Sequence, residues 1–109
     1  MKLVYNYRNL PLGELKYNAE KKEYVYNSYI ENEMTAKKKT FGLLDYHLYN
    51  SKNLKSSELF IDFKMWIDHS RGDVIQICKI DKDDSDWDKL IKIARNNITM
   101  GDYKLSVIE

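Results

Sequence analysis

Cys78, His47 and His69 are the side chains of this sequence best suited to polar catalysis, because a thiolate or an imidazole-activated group is what nucleophilic transfer needs. Each would have to stand beside a base that a carboxylate orients. Cys78 follows Val74-Ile75-Gln76-Ile77, an apolar run that raises a thiol's pKa and makes it inert, so a buried structural cysteine is expected. His47 lies beside Leu48 on an expected helix. His69 ends the next one, where an imidazole usually serves the dipole or a cap. A hydrolase built on Cys78 and a histidine is therefore the least favoured reading. A deep cavity in which either imidazole or Cys78 meets a carboxylate would overturn the view that the chain lacks catalytic groups.

Metal and phosphate chemistry find no better footing. Asp81-Lys82-Asp83-Asp84-Ser85-Asp86 imitates the first ligands of a calcium loop, but Asp86 stands where the turn needs Gly and Lys92 where the bidentate Glu belongs. These anions suit a solvated loop before a helix N-terminus. No Cys and His spacing fits zinc, and the four glycines occupy no phosphate-binding spacing. No metal, cofactor or catalytic residue is expected.

Two surfaces are candidates for binding. Tyr5, Tyr7, Tyr24 and Tyr26 can share one face of a sheet, either stacking bases or packing under helices with their hydroxyls at the rim. Lys37, Lys38 and Lys39 form a cationic run, read as a solvated loop or as a contact for phosphate or an acidic partner. Trp66 and Trp87 belong to amphipathic stripes; an exposed Trp66 would be a natural anchor for a protein partner.

The elements that must position these residues follow from hydrophobic period. Leu3, Tyr5 and Tyr7 alternate with Lys2, Val4, Asn6 and Arg8, Asn9 to Pro11 breaks the pattern, and Leu12–Tyr17 and Glu23–Asn27 resume it, which predicts a three-stranded meander. Phe41, Leu44 and Leu48 predict a helix over 40–49 with Thr40 as N-cap. Leu59, Phe60, Phe63, Trp66 and Ile67 predict a helix capped by Ser56 or Ser57. Val74–Ile80 fits strand or helix equally. Ser85-Asp86-Trp87-Asp88 begins another helix whose stripe is Trp87, Leu90, Ile91 and Ala94. Asn96 or Asn97 ends it in the left-handed conformation, and Tyr103, Leu105 and Val107 alternate as a last strand. The fold class is α+β: a small, mostly antiparallel sheet covered by two or three helices.

With 109 residues the chain has room for one domain, 1–109. A single cysteine forbids an internal disulfide. No leader-like or spanning segment is seen, so a cytoplasmic protein without membrane contact is expected. Residues 1–55 carry ten Lys and Arg against six Asp and Glu, and residues 56–109 eight against eleven. The net charge of +1 lacks the basic excess of a general nucleic-acid binder.

Leu12-Gly13-Glu14-Leu15-Lys16-Tyr17-Asn18 followed by Glu23-Tyr24-Val25-Tyr26 resembles the opening of HipA-type toxin kinases, where a "VGxLxY" strand precedes an "xFxFxY" strand. The stretch Asn50–Phe60 with Phe63, Trp66 and Ile67, and the tail from Asp86 to Leu105, are similar to short Firmicutes proteins with HipA-like N-terminal regions. The resemblance implies a free-standing relative of the HipA N-terminal subdomain, bacterial or phage-related, that binds a kinase-like toxin and carries no catalytic residue of the family. Where HipA proteins continue into a Pro/Leu-Ser-rich segment, Ile30–Lys39 is polar and charged here. The expected function is thus a non-catalytic protein-interaction module, its candidate contacts being Tyr5, Tyr7, Tyr24, Tyr26, Lys37–Lys39 and Trp66. The alternative is a small nucleic-acid-binding domain using the tyrosine face and the lysine run.

Overall fold

The computed structural model describes residues 1–42, 46–68 and 71–109. The chain opens with β1 (Lys2–Tyr7), β2 (Leu10–Asn18) and β3 (Glu23–Ser28), paired as the expected meander. The break after β1 falls at Arg8 and Asn9, both left-handed with φ of 47° and 72°, the turn whose twist matches the flanking strands. Pro11 therefore lies inside β2 and not in the break. It faces Asn6 at a bulge, where a residue without an N–H is tolerated.

Two short strands extend this sheet. β4 (Leu54–Ser56) joins the far side of β3, and a hairpin of β5 (Thr99–Met100) and β6 (Tyr103–Ile108) joins β1. The order is β4-β3-β2-β1-β6-β5, antiparallel throughout. Register sets Tyr5 between Gly13 and Leu105, and Leu15 between Leu3 and Tyr26, so one face gathers the apolar side chains.

Four helices contribute to the core on that face: α1 (Ile30–Lys39), α2 (Ile61–Asp68), α3 (Gly72–Cys78) and α4 (Asp86–Arg95). The α+β class holds, with four helices among the described residues where two or three were expected. Leu59, Phe63, Trp66, Leu90 and Ile91 are buried together, while Phe60, Ile67 and Trp87 are half-buried against them. Val74–Ile80 resolves as helix α3, which Lys79 ends in the left-handed region. Ser85 caps α4 by accepting a hydrogen bond from the Asp88 N–H at 3.1 Å, and Asn97 takes the left-handed conformation just beyond the helix.

Three expectations fail, each for a physical reason. The helix predicted over 40–49 does not form at its described positions: Thr40–Gly42 and His47–Asn50 are turns, and residues 43–45, Leu44 included, lie outside the described residues. The helix lies earlier, at Ile30–Lys39, where the buried positions are Glu33 and Ala36 and no apolar stripe announces it. Thr40 accordingly ends that helix instead of starting one, its N–H donating to the Ala36 carbonyl. Lys37, Lys38 and Lys39 are its last turn, not a loop, where cations favour the dipole. Ser56 and Ser57 do not cap α2, because Leu54–Ser56 pairs with β3 and the helix begins only at Ile61.

Candidate functional site

The tyrosine face is covered. Tyr5, Tyr24 and Tyr26 are buried and Tyr7 half-buried, so the rings that sequence placed on one face do share it but serve the core. Tyr5 stacks on Tyr103 at 5.1 Å and meets Phe63 edge-on at 5.2 Å. Tyr24 lies 4.6 Å from Tyr17 and packs near Trp87. Burial pushes the Tyr24 phenol up to about 12 and the Tyr5 and Tyr26 phenols higher still. The Tyr26 hydroxyl sits over Gly13, where a Cβ would collide with it, and has the Tyr46 hydroxyl as its polar neighbour. Trp66 is buried as well, its ring lining the inner side of a 770 Å³ groove between α2, α3 and β5. Tyr24 and Tyr26 are thus enclosed in the core, while Tyr7 keeps partial exposure and Tyr5 and Trp66 form part of cavity walls.

Lys37, Lys38 and Lys39 are exposed, and here the structure gathers neighbours that sequence did not connect with them. Met34 and Phe41 stand beside Lys37 and Lys38, and Tyr49 closes a shallow cavity of about 390 Å³. The Lys37 ammonium lies 4.8 Å from the centre of the Tyr49 ring, within cation–π range. Phe41 is 94% exposed on a left-handed backbone, with φ of 54°. Left-handed backbone is costly for a residue with a bulky side chain.

A second constellation surrounds the segment Tyr46–Asn50. It has no ladder of its own, so its N–H groups need other acceptors. Two carboxylates on the flanking helices supply them. Glu33 of α1, wholly buried, accepts from the Asn50 N–H at 3.0 Å and from the Tyr46 hydroxyl. Asp62 of α2, 9% exposed, accepts from the Leu48 N–H at 3.1 Å and the His47 N–H at 3.4 Å, and pairs with His47 Nδ1 at 3.1 Å. Burial first, and the Tyr26 and Glu33 groups beside it, drive the Tyr46 phenol far above its ordinary value.

His47 and Asp62 line a 470 Å³ cavity with Tyr5, Tyr46, Asp102 and Tyr103. A largely exposed imidazole thus meets a buried carboxylate beside a cavity, close to the arrangement named above as contrary to a chain without catalytic groups. The pair supplies a base and the acid that orients it. Nucleophile and thiol are missing from it: no Ser, Thr or Cys lines this cavity among the described residues. Cys78 is buried at the end of α3 and desolvation pushes its thiol up, while His69 lies outside the described residues.

The acidic run behaves as a loop. Asp84 pairs with Lys92 Nζ at 2.6 Å, which holds its carboxyl below the usual carboxylate range, and Asp81 accepts from the Asp83 N–H. Among the described residues no group of three or more His, Cys, Asp or Glu is placed to hold a metal, and no helix is long and apolar enough to cross a membrane.

Glu33 and Asp62 left a trace in the sequence. Asp62 falls three residues after Leu59 and four before Trp66, and Glu33 three before Ala36, so both occupy the inner face of their helices. An acid at such a position needs a buried donor. Phe41 left none. The chain is a small α+β domain with a six-stranded antiparallel sheet, a cationic-aromatic patch and a His–Asp cavity. Comparison with known proteins returns no match among family models, curated proteins or solved structures.

Proposed function

We propose that this chain is a non-catalytic interaction module that binds a protein partner through the patch of Met34, Phe41, Tyr49 and Lys37–Lys39. One observation carries the reading. Phe41 is almost fully exposed, forgoing the roughly 1.5–3 kcal/mol that burying such a ring returns. A ring displayed beside two cations, Lys37 and Lys38, with Lys39 next to them in the chain, suits an aromatic or aliphatic anchor on an acidic segment, because apolar contact supplies affinity while charge sets the approach. The HipA-like stretches make a kinase-like toxin the partner to test first.

The test is co-expression with the products of adjacent genes and capture through a tag on this chain. A kinase-like or toxin protein should be retained, and Phe41→Ser should release it at unchanged melting temperature. Retention of nothing of that kind counts against the reading. Binding of single-stranded RNA with a log–log salt slope of about −2 to −3, as three phosphate contacts would give, replaces it with the nucleic-acid alternative.

A further inference from the structure

We propose that the cavity bounded by β1, α2 and the β5–β6 turn binds an organic cation: a guanidinium or primary ammonium group on a short aliphatic stem. The argument begins with charge. Glu33 and Asp62 are both buried, yet apart from the His47 imidazole every donor described for them is neutral: three backbone N–H groups and the Tyr46 hydroxyl. Neither has a Lys or Arg partner among the described ion pairs. Buried carboxylates ordinarily pair with a cation or coordinate a metal.

Their negative field falls on the cavity. Asp62 lines it directly, and Glu33 stands behind the Tyr46 ring that forms part of its wall. Asp102 adds a further carboxylate at the mouth, where Arg8 Nε approaches it at 3.3 Å in a pair more than half exposed on both sides. Such rim pairs hold weakly and yield to a competing cation. The rest of the lining favours a soft cation over a hard one. Tyr5, Tyr46 and Tyr103 offer ring electrons and Met65 and Met100 offer thioethers, whereas calcium takes six to eight oxygens. A volume of 470 Å³ holds a charged head with several carbons of stem, which the methionines would pack.

The probes are butylguanidinium and butylammonium, with butyramide and butyrate as neutral and anionic controls, followed through the amide resonances of Leu48 and Gly101. Both cations should give saturable shifts. Asp62→Asn, which keeps an acceptor for the Leu48 N–H, should lower their affinity at least tenfold. Equal binding of butyramide or butyrate, or a cation affinity indifferent to Asp62→Asn, overturns the proposal. If Asp62→Asn melts the fold, Asp102→Asn decides in its place, and indifference to it is again refutation. An acetylated pentapeptide with one central Arg separates the sources: binding at least as tight as butylguanidinium marks a protein-borne cation, and weaker binding a free one.

Discussion

Gly13→Ala should destabilise this domain far more than a glycine-to-alanine change in a strand usually does. Gly13 sits opposite Tyr5 of β1 and Ser28 of β3, on the side of the sheet that faces the core. A Cβ there would strike the Tyr26 hydroxyl and lie 2.6 Å from the Asn27 carbonyl oxygen. The first obstacle is the end of a fully buried ring and the second is the backbone of a paired strand, so neither can swing aside. Overpacking of this kind costs about 1–3 kcal/mol, and the rigid neighbours put this case near the top of that range.

The partition between the two contacts is measurable. Tyr26→Phe removes the hydroxyl, which has no hydrogen bond of good geometry, so that change alone should cost less than about 1 kcal/mol. In the double variant the hydroxyl is gone, but the ring carbon Cζ and the Asn27 oxygen, each 2.6 Å from the new Cβ, remain in its way. A double-mutant cycle by urea denaturation should therefore show partial relief, about 0.5–1 kcal/mol of favourable coupling. Strict additivity, or a Gly13→Ala cost below about 0.5 kcal/mol, would refute the reasoning, because the contact would then be relieved by backbone adjustment.

Other consequences are simpler. Phe63→Ala, at a wholly buried ring between Tyr5 and Tyr26, should cost about 3–5 kcal/mol in the same assay. Ser85→Ala should cost about 1 kcal/mol by leaving the Asp88 N–H without its cap, and no loss would remove Ser85 from that role. Glu14 is held below the ordinary carboxylate range chiefly by its hydrogen bond from Lys2, at 2.6 Å. A depressed carboxyl contributes its stability above the unfolded value and loses it as pH falls through the folded one. Lys2→Met should thus raise the Glu14 carboxyl resonance midpoint and flatten the acid side of the stability profile; an unmoved midpoint would assign the depression to another group.

What the sequence disclosed and what it hid divide along physical lines. Leu3, Tyr5 and Tyr7 alternate because one sheet face is buried, and the Trp87, Leu90, Ile91, Ala94 stripe exists because α4 lies on that face; both are local patterns that tertiary structure then uses. Helix α1 was invisible because it buries a carboxylate and a methyl group where a stripe would carry Leu or Ile. β4 is three residues long and owes its conformation to its pairing with β3, a partner more than 25 positions away, which no window contains. The tyrosine face was legible as a face, but whether helices cover it depends on where α1 and α2 return. The same limit hid His47 and Asp62, fifteen positions apart, and Phe41, whose exposure is a property of what fails to pack on it.

The two buried acids join architecture to electrostatics. A turn segment returning through the core needs acceptors for its N–H groups, and a carboxylate oxygen serves as well as a carbonyl. Choosing Glu33 and Asp62 for that task satisfies Asn50 and Leu48 but leaves negative charge in a poorly solvated place. An amide keeps one of the two oxygens and turns the other into a donor. At Asp62 that is too few, because the Leu48 and His47 N–H groups use different oxygens; at Glu33 the second oxygen serves only the Tyr46 hydroxyl, which can accept as well as donate. Glu33→Gln therefore separates the two roles, since it retains the acceptor for the Asn50 N–H and removes the charge. If holding the turn is all Glu33 does, that variant should match or exceed the parent in stability, and a loss measures how far the charge itself is used.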